Sequence, residues 1–358
     1  MSGRILLYGA TGFTGREIAR ALAGTLDIVL AGRDAQKLRA VADPLGLPWL
    51  AFDLSDPVAL AAALQDVNVV LHAAGPFETT ACPMIDGCLR TGTHYLDLGG
   101  EWPVFLEAME YDAAAKSAGI MIVPGVGLTV AASDCLLALA KERWPDTVRF
   151  CLGISRAQVI SRGSVESAAR LLSPEVIIRR KGALVTVPAG SLVRAFDFGN
   201  GFSEAVAMSW ADVVTGTITT GVGDIEVYSE MRWPERAGYR ASSMAMEVAG
   251  VKPWRQFGGA LAKVWPDGPS ESARDAASFS MVVEALDPWR RVRRLKARTM
   301  NGYDFSVVTA AEAVRRMLSG TTKTGFQTPA LAFGASFIFD VGAAVVEARV
   351  RTSGSMAA

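Results

Sequence analysis

Arg4-Ile5-Leu6-Leu7-Tyr8-Gly9-Ala10-Thr11-Gly12-Phe13-Thr14-Gly15 is an apolar strand that breaks on glycines and runs straight into a helix. Ile18, Ala21 and Leu22 follow at helical spacing, so the glycine turn joins a buried strand to an amphipathic helix. Each glycine has its own task. Gly9 permits the tight turn, Gly12 lets the backbone approach a bound group with no Cβ in the way, and Gly15 lets the helix close on its strand. With Thr11, Phe13 and Thr14 between them, they form a turn whose free N–H groups and helix dipole suit a pyrophosphate. The stretch predicts a dinucleotide-binding βαβ unit.

The second strand, Asp27 to Ala31, bears on cofactor choice. Sites specific for NAD place a carboxylate near the end of this strand, on the ribose 2′-hydroxyl. Here Gly32-Arg33-Asp34 stands there, with Lys37 one turn further on. A guanidinium suits a 2′-phosphate, so NADP is expected over NAD, while Asp34 suits an N-cap of the next helix.

The 358 residues are half apolar and exceed the size at which one core stops growing, and the formal net charge is +0. Nothing in that balance favours nucleic acid or an anionic membrane. The one dense basic run, Arg290 to Arg298, alternates with Val292, Leu295 and Ala297 as a half-exposed strand does. Cys82, Cys88, Cys135 and Cys151 have no metal-ligand spacing and read as reduced thiols. Apolar stretches around Ile120 to Ser133 and Thr324 to Phe339 are broken by Gly and Pro. The start, Met1-Ser2-Gly3-Arg4, enters the first strand at once, with no signal-peptide pattern. A cytoplasmic protein without metal or membrane span is expected.

Strand and helix continue to alternate: strands fit Trp49 to Phe52, Val67 to His72, His94 to Leu98 and Ile120 to Val123, with helices at Asp56 to Leu64, Pro83 to Arg90 and Trp102 to Ala118. This predicts α/β architecture, a Rossmann doubly wound parallel sheet whose ligand lies beyond the carboxyl ends of the strands. Asp53-Leu54 then either brackets an adenine or turns the chain. Ala73-Ala74-Gly75-Pro76 is small enough for a nicotinamide to lie against, with Phe77 as a wall. Asp97, Glu101 and His94 are candidate proton donors; the stronger alternative is that they cap, balance a helix dipole and pack in the core, respectively. His72 reads as a packed residue. No Tyr-x-x-x-Lys occurs, so short-chain dehydrogenase chemistry has no residues to run on. After about Thr129 the pattern changes. A helix from Ala131 to Trp144 leads to strands at Val148 to Ile154, Leu192 to Phe198, Ala205 to Trp210, Ile225 to Met231 and Phe279 to Leu286, with helices near Val165 to Leu172 and Met244 to Leu261, which predicts an α+β second domain.

Several pieces together, GATGFTGREIARAL, AGRDAQKL, HAAGPF, CLRTGTHYLDLGGE, TTGVGDIEVYSE, VVTAAEAVRRMLSG and GFQTPALAFG, resemble the saccharopine dehydrogenase-like oxidoreductases, in particular short bacterial members and trans-acting enoyl reductase relatives. The resemblance implies a Rossmann domain at 1–128, completed by 323–358, an inserted substrate and dimerisation domain at 129–322, and an NADP or NAD cofactor. It does not imply saccharopine as substrate. Relatives carry a Gly-Phe-Asp-Ser-type stretch where this chain has Gly127-Leu128-Thr129-Val130, with an acid only at Asp134. The expected function is hydride transfer to or from a polarised C=N or C=C bond of a small molecule; an NADP(H) sensor without turnover is the alternative. Trp210, Tyr228 and Trp233 suggest a homodimer paired along a sheet, with Gly221 to Glu226 walling the substrate.

Overall fold

The computed structural model describes residues 3–320 and 323–348. In chain order the first part runs β1 (Arg4–Tyr8), α1 (Phe13–Leu22), β2 (Asp27–Gly32), α2 (Ala35–Ala42), β3 (Trp49–Ala51), α3 (Pro57–Leu64), β4 (Val69–His72), α4 (Phe77–Thr91), β5 (His94–Asp97), α5 (Trp102–Glu110), α6 (Asp112–Ala118) and β6 (Met121–Val123). There follow α7 (Ser133–Arg143), β7 (Arg149–Ile154), α8 (Arg162–Arg170), β8 (Glu175–Arg180), β9 (Ala183–Pro188), β10 (Val193–Asp197), β11 (Phe202–Ala207), α9 (Asp212–Thr220), β12 (Asp224–Glu230), α10 (Glu235–Ala249), α11 (Lys252–Val264) and α12 (Glu271–Asp275). The chain ends in β13 (Ser278–Leu286), β14 (Val292–Met300), α13 (Gly302–Leu318), β15 (Gly325–Phe326), α14 (Pro329–Phe333), α15 (Phe337–Asp340) and β16 (Ala344–Ala348).

Ile5-Leu6-Leu7 and Val69-Val70-Leu71 are wholly buried, as strands covered on both faces must be. They lie at the centre of a seven-stranded parallel sheet ordered β15-β6-β5-β4-β1-β2-β3, with Ile5 opposite both Ile28 and Val69. The chain leaves β1 for β2 on one side and later returns to β4 on the other. The crevice above that reversal is where a doubly wound sheet takes its ligand. A second, mixed sheet is ordered β10-β11-β12-β7-β13-β14-β16, with the β8–β9 hairpin attached to β12. Its β12–β7 pair is parallel and its other pairs antiparallel. One continuous apolar core runs from Ile5 and Leu30 through Leu136 to Phe150 and Met281, so the sheets share their interior.

Several boundaries differ from the sequence reading, each for a local reason. The Pro83 to Arg90 helix begins at Phe77: Pro83 lies inside α4, losing one backbone bond while Ala81, Met84, Ile85 and Cys88 stay buried. Trp102 to Ala118 divides at Tyr111 into α5 and α6. Met244 to Leu261 is two helices, split where Gly250 takes φ +79° and Pro253 opens the next. The Ala131 helix is preceded by a π-helical turn, Leu128–Ala132. The β8–β9 hairpin, turned by Lys181 and Gly182 at positive φ, and α9 were not foreseen. Of the segment 323–358, β15 extends the parallel sheet while β16 pairs with β14 in the second one; residues 349–358 lie outside the described residues.

Trp210, Tyr228 and Trp233 share no exposed edge. Tyr228 is buried and donates to Glu226 Oε2 at 2.7 Å, Trp210 donates to Ser229 Oγ at 2.9 Å, and Trp233 alone is exposed. Among the described residues no helix is long and apolar enough to cross a membrane.

Two acids are buried where α7, α9 and α14 meet. Asp134 accepts from Thr219 Oγ1 at 2.6 Å and from the Ala330 N–H at 2.9 Å, so it serves packing. Burial pushes Asp212 up to about 7, with the Asp134 charge adding to the rise. The unfolded value is about 3.9, so the folded state holds this proton more tightly and loses stability as pH rises from about 4 to about 7. Asp212→Asn is expected to flatten that loss, by up to about 1.4 kcal/mol per pH unit, in urea unfolding at pH 5, 6 and 7.5. Parallel curves for variant and wild type would contradict it.

Candidate active site

A cleft of about 320 Å³ opens at the carboxyl ends of β1, β2 and β4. One wall is Tyr8, Gly9, Thr11 to Thr14, Gly32-Arg33 and Ala73 to Pro76; the other is Ser161 to Gly163, Glu166, Ser167 and Asp267. Most of the first wall is among the residues expected from the sequence, and the second wall is not.

The glycine turn is built for close approach. Gly9 has φ +92°, and a Cβ there would meet the Ala74 backbone at 2.6 Å; one on Gly15 would lie 2.3 Å from the Gly9 carbonyl oxygen. Gly15 therefore packs behind the cleft. A Cβ on Gly12, by contrast, meets only the Gly9 oxygen, at 3.4 Å, so the space above it is open. Gly12 is the N-cap of α1, no side chain caps that end, and the first turn holds no acid. Uncapped N–H groups at a positive dipole end, bare of side chains, fit a pyrophosphate. Phe13 steadies the turn: its ring lies edge-on to Tyr303 at 5.2 Å and under the Arg274 guanidinium at 5.5 Å.

At the end of β2, Arg33 is exposed and lines the cleft. Lys37 does not line it; its ammonium stands 3.5 Å from Asp34, whose carboxylate caps α2 through the Lys37 N–H at 3.0 Å. That bond holds the Asp34 carboxyl below its usual range. Asp53 accepts from the Ser55 N–H and hydroxyl at 2.9 and 2.8 Å, the turn-forming role, and Leu54 is buried; neither is among the cleft-lining residues.

At the other end, Thr80 Oγ1 lies 2.9 Å from the Ala74 carbonyl and 3.0 Å from that of Pro76, and His72 Nε2 lies 2.9 Å from the same hydroxyl. The hydroxyl spends its one proton on a carbonyl, so His72 carries its proton on Nε2 and donates. Burial drives His72 down to about 3, and it stays neutral as a brace for the Ala73 to Pro76 loop. Phe77 is not a wall of the cleft. It turns inward, edge-on to His72 at 5.3 Å and packed with Ala81 and Val104.

The three candidate proton donors separate. Asp97 has no exposed surface; Oδ1 accepts from the Gly99 and Gly125 N–H groups at 2.7 and 2.8 Å and Oδ2 from the Tyr95 hydroxyl at 2.8 Å. Burial pushes it up to about 6 against those bonds, and its position is that of a clamp between the loops after β5 and β6. His94 Nδ1 accepts from the Met121 N–H at 3.0 Å, tying β5 to β6. Glu101 alone reaches toward the cleft: Oε1 accepts from Ser167 Oγ at 3.0 Å, and Ser167 lines the cavity. Its other oxygen accepts from the Gly100 N–H at 2.9 Å.

The far wall comes from the start of α8 and the loop after α11. Ser161 caps α8, with its own N–H donating to Tyr303 Oη at 2.5 Å; Arg162 follows, and Asp267 crosses to Arg16. Gly221 to Glu226, expected as the substrate wall, lies elsewhere, with Glu226 buried in the second sheet beside Arg180, Cys151 and Tyr228. A sequence signal was present: Ser161-Arg162-Gly163-Ser164 is a small polar run with a cation at a helix start. Among the described residues no group of His, Cys, Asp and Glu could hold a metal ion.

Residues 5–123 match the family model "Saccharopine dehydrogenase NADP binding domain". A trans-acting enoyl reductase of Mycobacterium bovis is 36% identical over 139 residues, which are 36% of this chain and 33% of that protein, and the Mycobacterium leprae protein of the same name is 37% identical over 139 residues. The match thus spans about a third of these relatives' length. Two solved structures resemble the chain almost throughout. Apo saccharopine dehydrogenase (L-Glu forming) from Saccharomyces cerevisiae has a TM-score of 0.64 at 13% identity, covering 95% of this chain and 96% of that one. A homospermidine synthase from Legionella pneumophila, in complex with NAD, has a TM-score of 0.65 at 9% identity, covering 100% and 95%. At such identities they show the fold alone, and the family likeness is confined to the first third of the chain, where residues 5–123 are similar to a saccharopine dehydrogenase NADP binding domain.

Proposed function

We propose that this chain is an NADP-dependent oxidoreductase acting on a polarised C=N or C=C bond of a small molecule, in either direction. The observation that carries the reading is one cleft with an uncapped glycine cradle in the middle, Arg33 on its rim and the Glu101–Ser167 pair reaching it from the side. The names of the relatives, an enoyl reductase and a saccharopine dehydrogenase, are those of double-bond and amine chemistry. A bound nicotinamide supplies the hydride. Gly12 and the first turn of α1 hold the pyrophosphate, Arg33 the 2′-phosphate, and Ala73 to Pro76 the nicotinamide face. Glu101 supplies or takes the proton through the hydroxyl of Ser167, a residue that lines the cleft. Asp97 and His94 position loops and strands and exchange no proton with substrate. The four cysteines are unpaired thiols, in keeping with a reducing, cytoplasmic setting.

Arg33→Ala tests the cofactor assignment. One charge-assisted contact is worth about 1.5–3 kcal/mol, so NADP affinity should fall by roughly 10- to 150-fold while NAD binding hardly changes. Equal loss for both would make Arg33 structural. The activity is tested by following NADPH consumption with imines and with enoyl thioesters as acceptors. Tight binding of the cofactor with no turnover on either class would reject the enzyme reading and favour a dinucleotide sensor. Sedimentation velocity at micromolar concentration settles the homodimer, which we propose on the resemblance alone.

A further inference from the structure

Asp267 stands in the cleft where an anion is expected. Its Oδ2 lies 2.7 Å from Arg16 in the first turn of α1, and its Oδ1 lies 3.4 Å from Arg162 at the start of α8. Arg162 is anchored to the same loop, its backbone N–H donating to the Pro266 carbonyl at 3.1 Å and its Nε to that of Trp265 at 3.0 Å. Next to Asp267, Gly268 packs on Phe13 of the glycine turn, so closely that a Cβ there would lie 2.1 Å from the ring. The loop after α11 thus crosses the cleft mouth and puts a carboxylate between two guanidiniums, one from each wall. Lys37, one turn beyond Arg33, is near enough to lower the Asp267 carboxyl further, after Arg16 and Arg162. Arg33, Arg162 and Asp267 line this one cleft, where a 2′-phosphate is expected.

A carboxylate bridging two arginines has the charge and the acceptor oxygens of a phosphate edge. It is also half exposed, and exposed ion pairs contribute little, so it can be exchanged for a stronger anion at small cost. Resting on the reading of this cleft as an NADP site, we propose that Arg16 and Arg162 are cofactor-binding residues held in reserve by Asp267, and that the 2′-phosphate takes them over by displacing its carboxylate. Arg162 then brings the second wall onto the cofactor, and Asp267 sets the preference: it competes with a 2′-phosphate and leaves an unphosphorylated ribose unopposed.

Calorimetric titration of wild type and Asp267→Asn with NADP, NAD, adenosine 2′,5′-bisphosphate and 5′-AMP tests this. Asp267→Asn should bind NADP and the bisphosphate about three- to tenfold more tightly, with NAD and 5′-AMP unchanged, and adding Arg162→Gln should abolish the gain. An unchanged NADP-to-NAD ratio in Asp267→Asn, or a loss for all four ligands with a native circular dichroism spectrum, would overturn the proposal and leave the NADP site standing. If neither protein bound any of the four, the site itself would fall and the proposal with it.

Discussion

Gly12→Val is expected to abolish tight dinucleotide binding in a protein that still folds. The space above Gly12 is open except for the Gly9 oxygen at 3.4 Å, so a branched side chain has room in the apo protein and fills the cradle instead of the core. The N–H groups at the start of α1 lose their access to phosphate. Losing one or two charge-assisted hydrogen bonds at about 1.5–3 kcal/mol each lowers affinity by roughly 10- to 10⁴-fold. Calorimetry with NADP and a thermal melt measure both halves of the claim. A normal dissociation constant would move the pyrophosphate elsewhere. Gly15→Val would be a poor substitute, since its Cβ meets backbone at 2.3 Å and loss of binding could not be separated from loss of fold.

Glu101→Gln is expected to lower kcat by about 10²- to 10⁴-fold, the usual contribution of a positioned acid or base, with NADP affinity and KM nearly unchanged. The amide can keep both contacts, its oxygen accepting from Gly100 and its nitrogen donating to Ser167, so what is removed is the transferable proton. Ser167→Ala should fall with it, because Glu101 reaches the cleft through that hydroxyl. Asp97→Asn is the comparison: its amide oxygen can still accept from Gly99 and Gly125 and its nitrogen donate to Tyr95, and turnover should stay close to wild type. A large loss in Asp97→Asn with none in Glu101→Gln would reverse the assignment.

The glycine turn was legible because its causes are local: a positive φ at Gly9 and helix-to-turn contact at Gly15 leave glycine as the residue type that fits. The parallel sheet followed from short apolar strands alternating with helices, and Asp34 capped α2 as its position after Arg33 implied. Asp97 shows where such reading ends. A carboxylate at a strand end looks like an acid facing the ligand, and only the fold reveals that the Gly99 and Gly125 N–H groups fill one of its oxygens and the Tyr95 hydroxyl the other. Arg162 and Asp267 were missed for a related reason. They reach the cleft by tertiary packing, Asp267 from 251 positions beyond its partner Arg16, and no periodicity records that distance. Tyr228, read as an edge aromatic, belongs to the small core on the other face of the second sheet.

The central claim is that the cleft above β1, β2 and β4 holds a nicotinamide dinucleotide with its 2′-phosphate on Arg33. Titrating the wild-type chain with NADPH and NADH in one buffer tests it most directly. One site per chain is expected for each, with NADPH tighter by roughly 10- to 150-fold, the equivalent of one charge-assisted phosphate contact; no binding of either cofactor, or tighter binding of NADH, would contradict it.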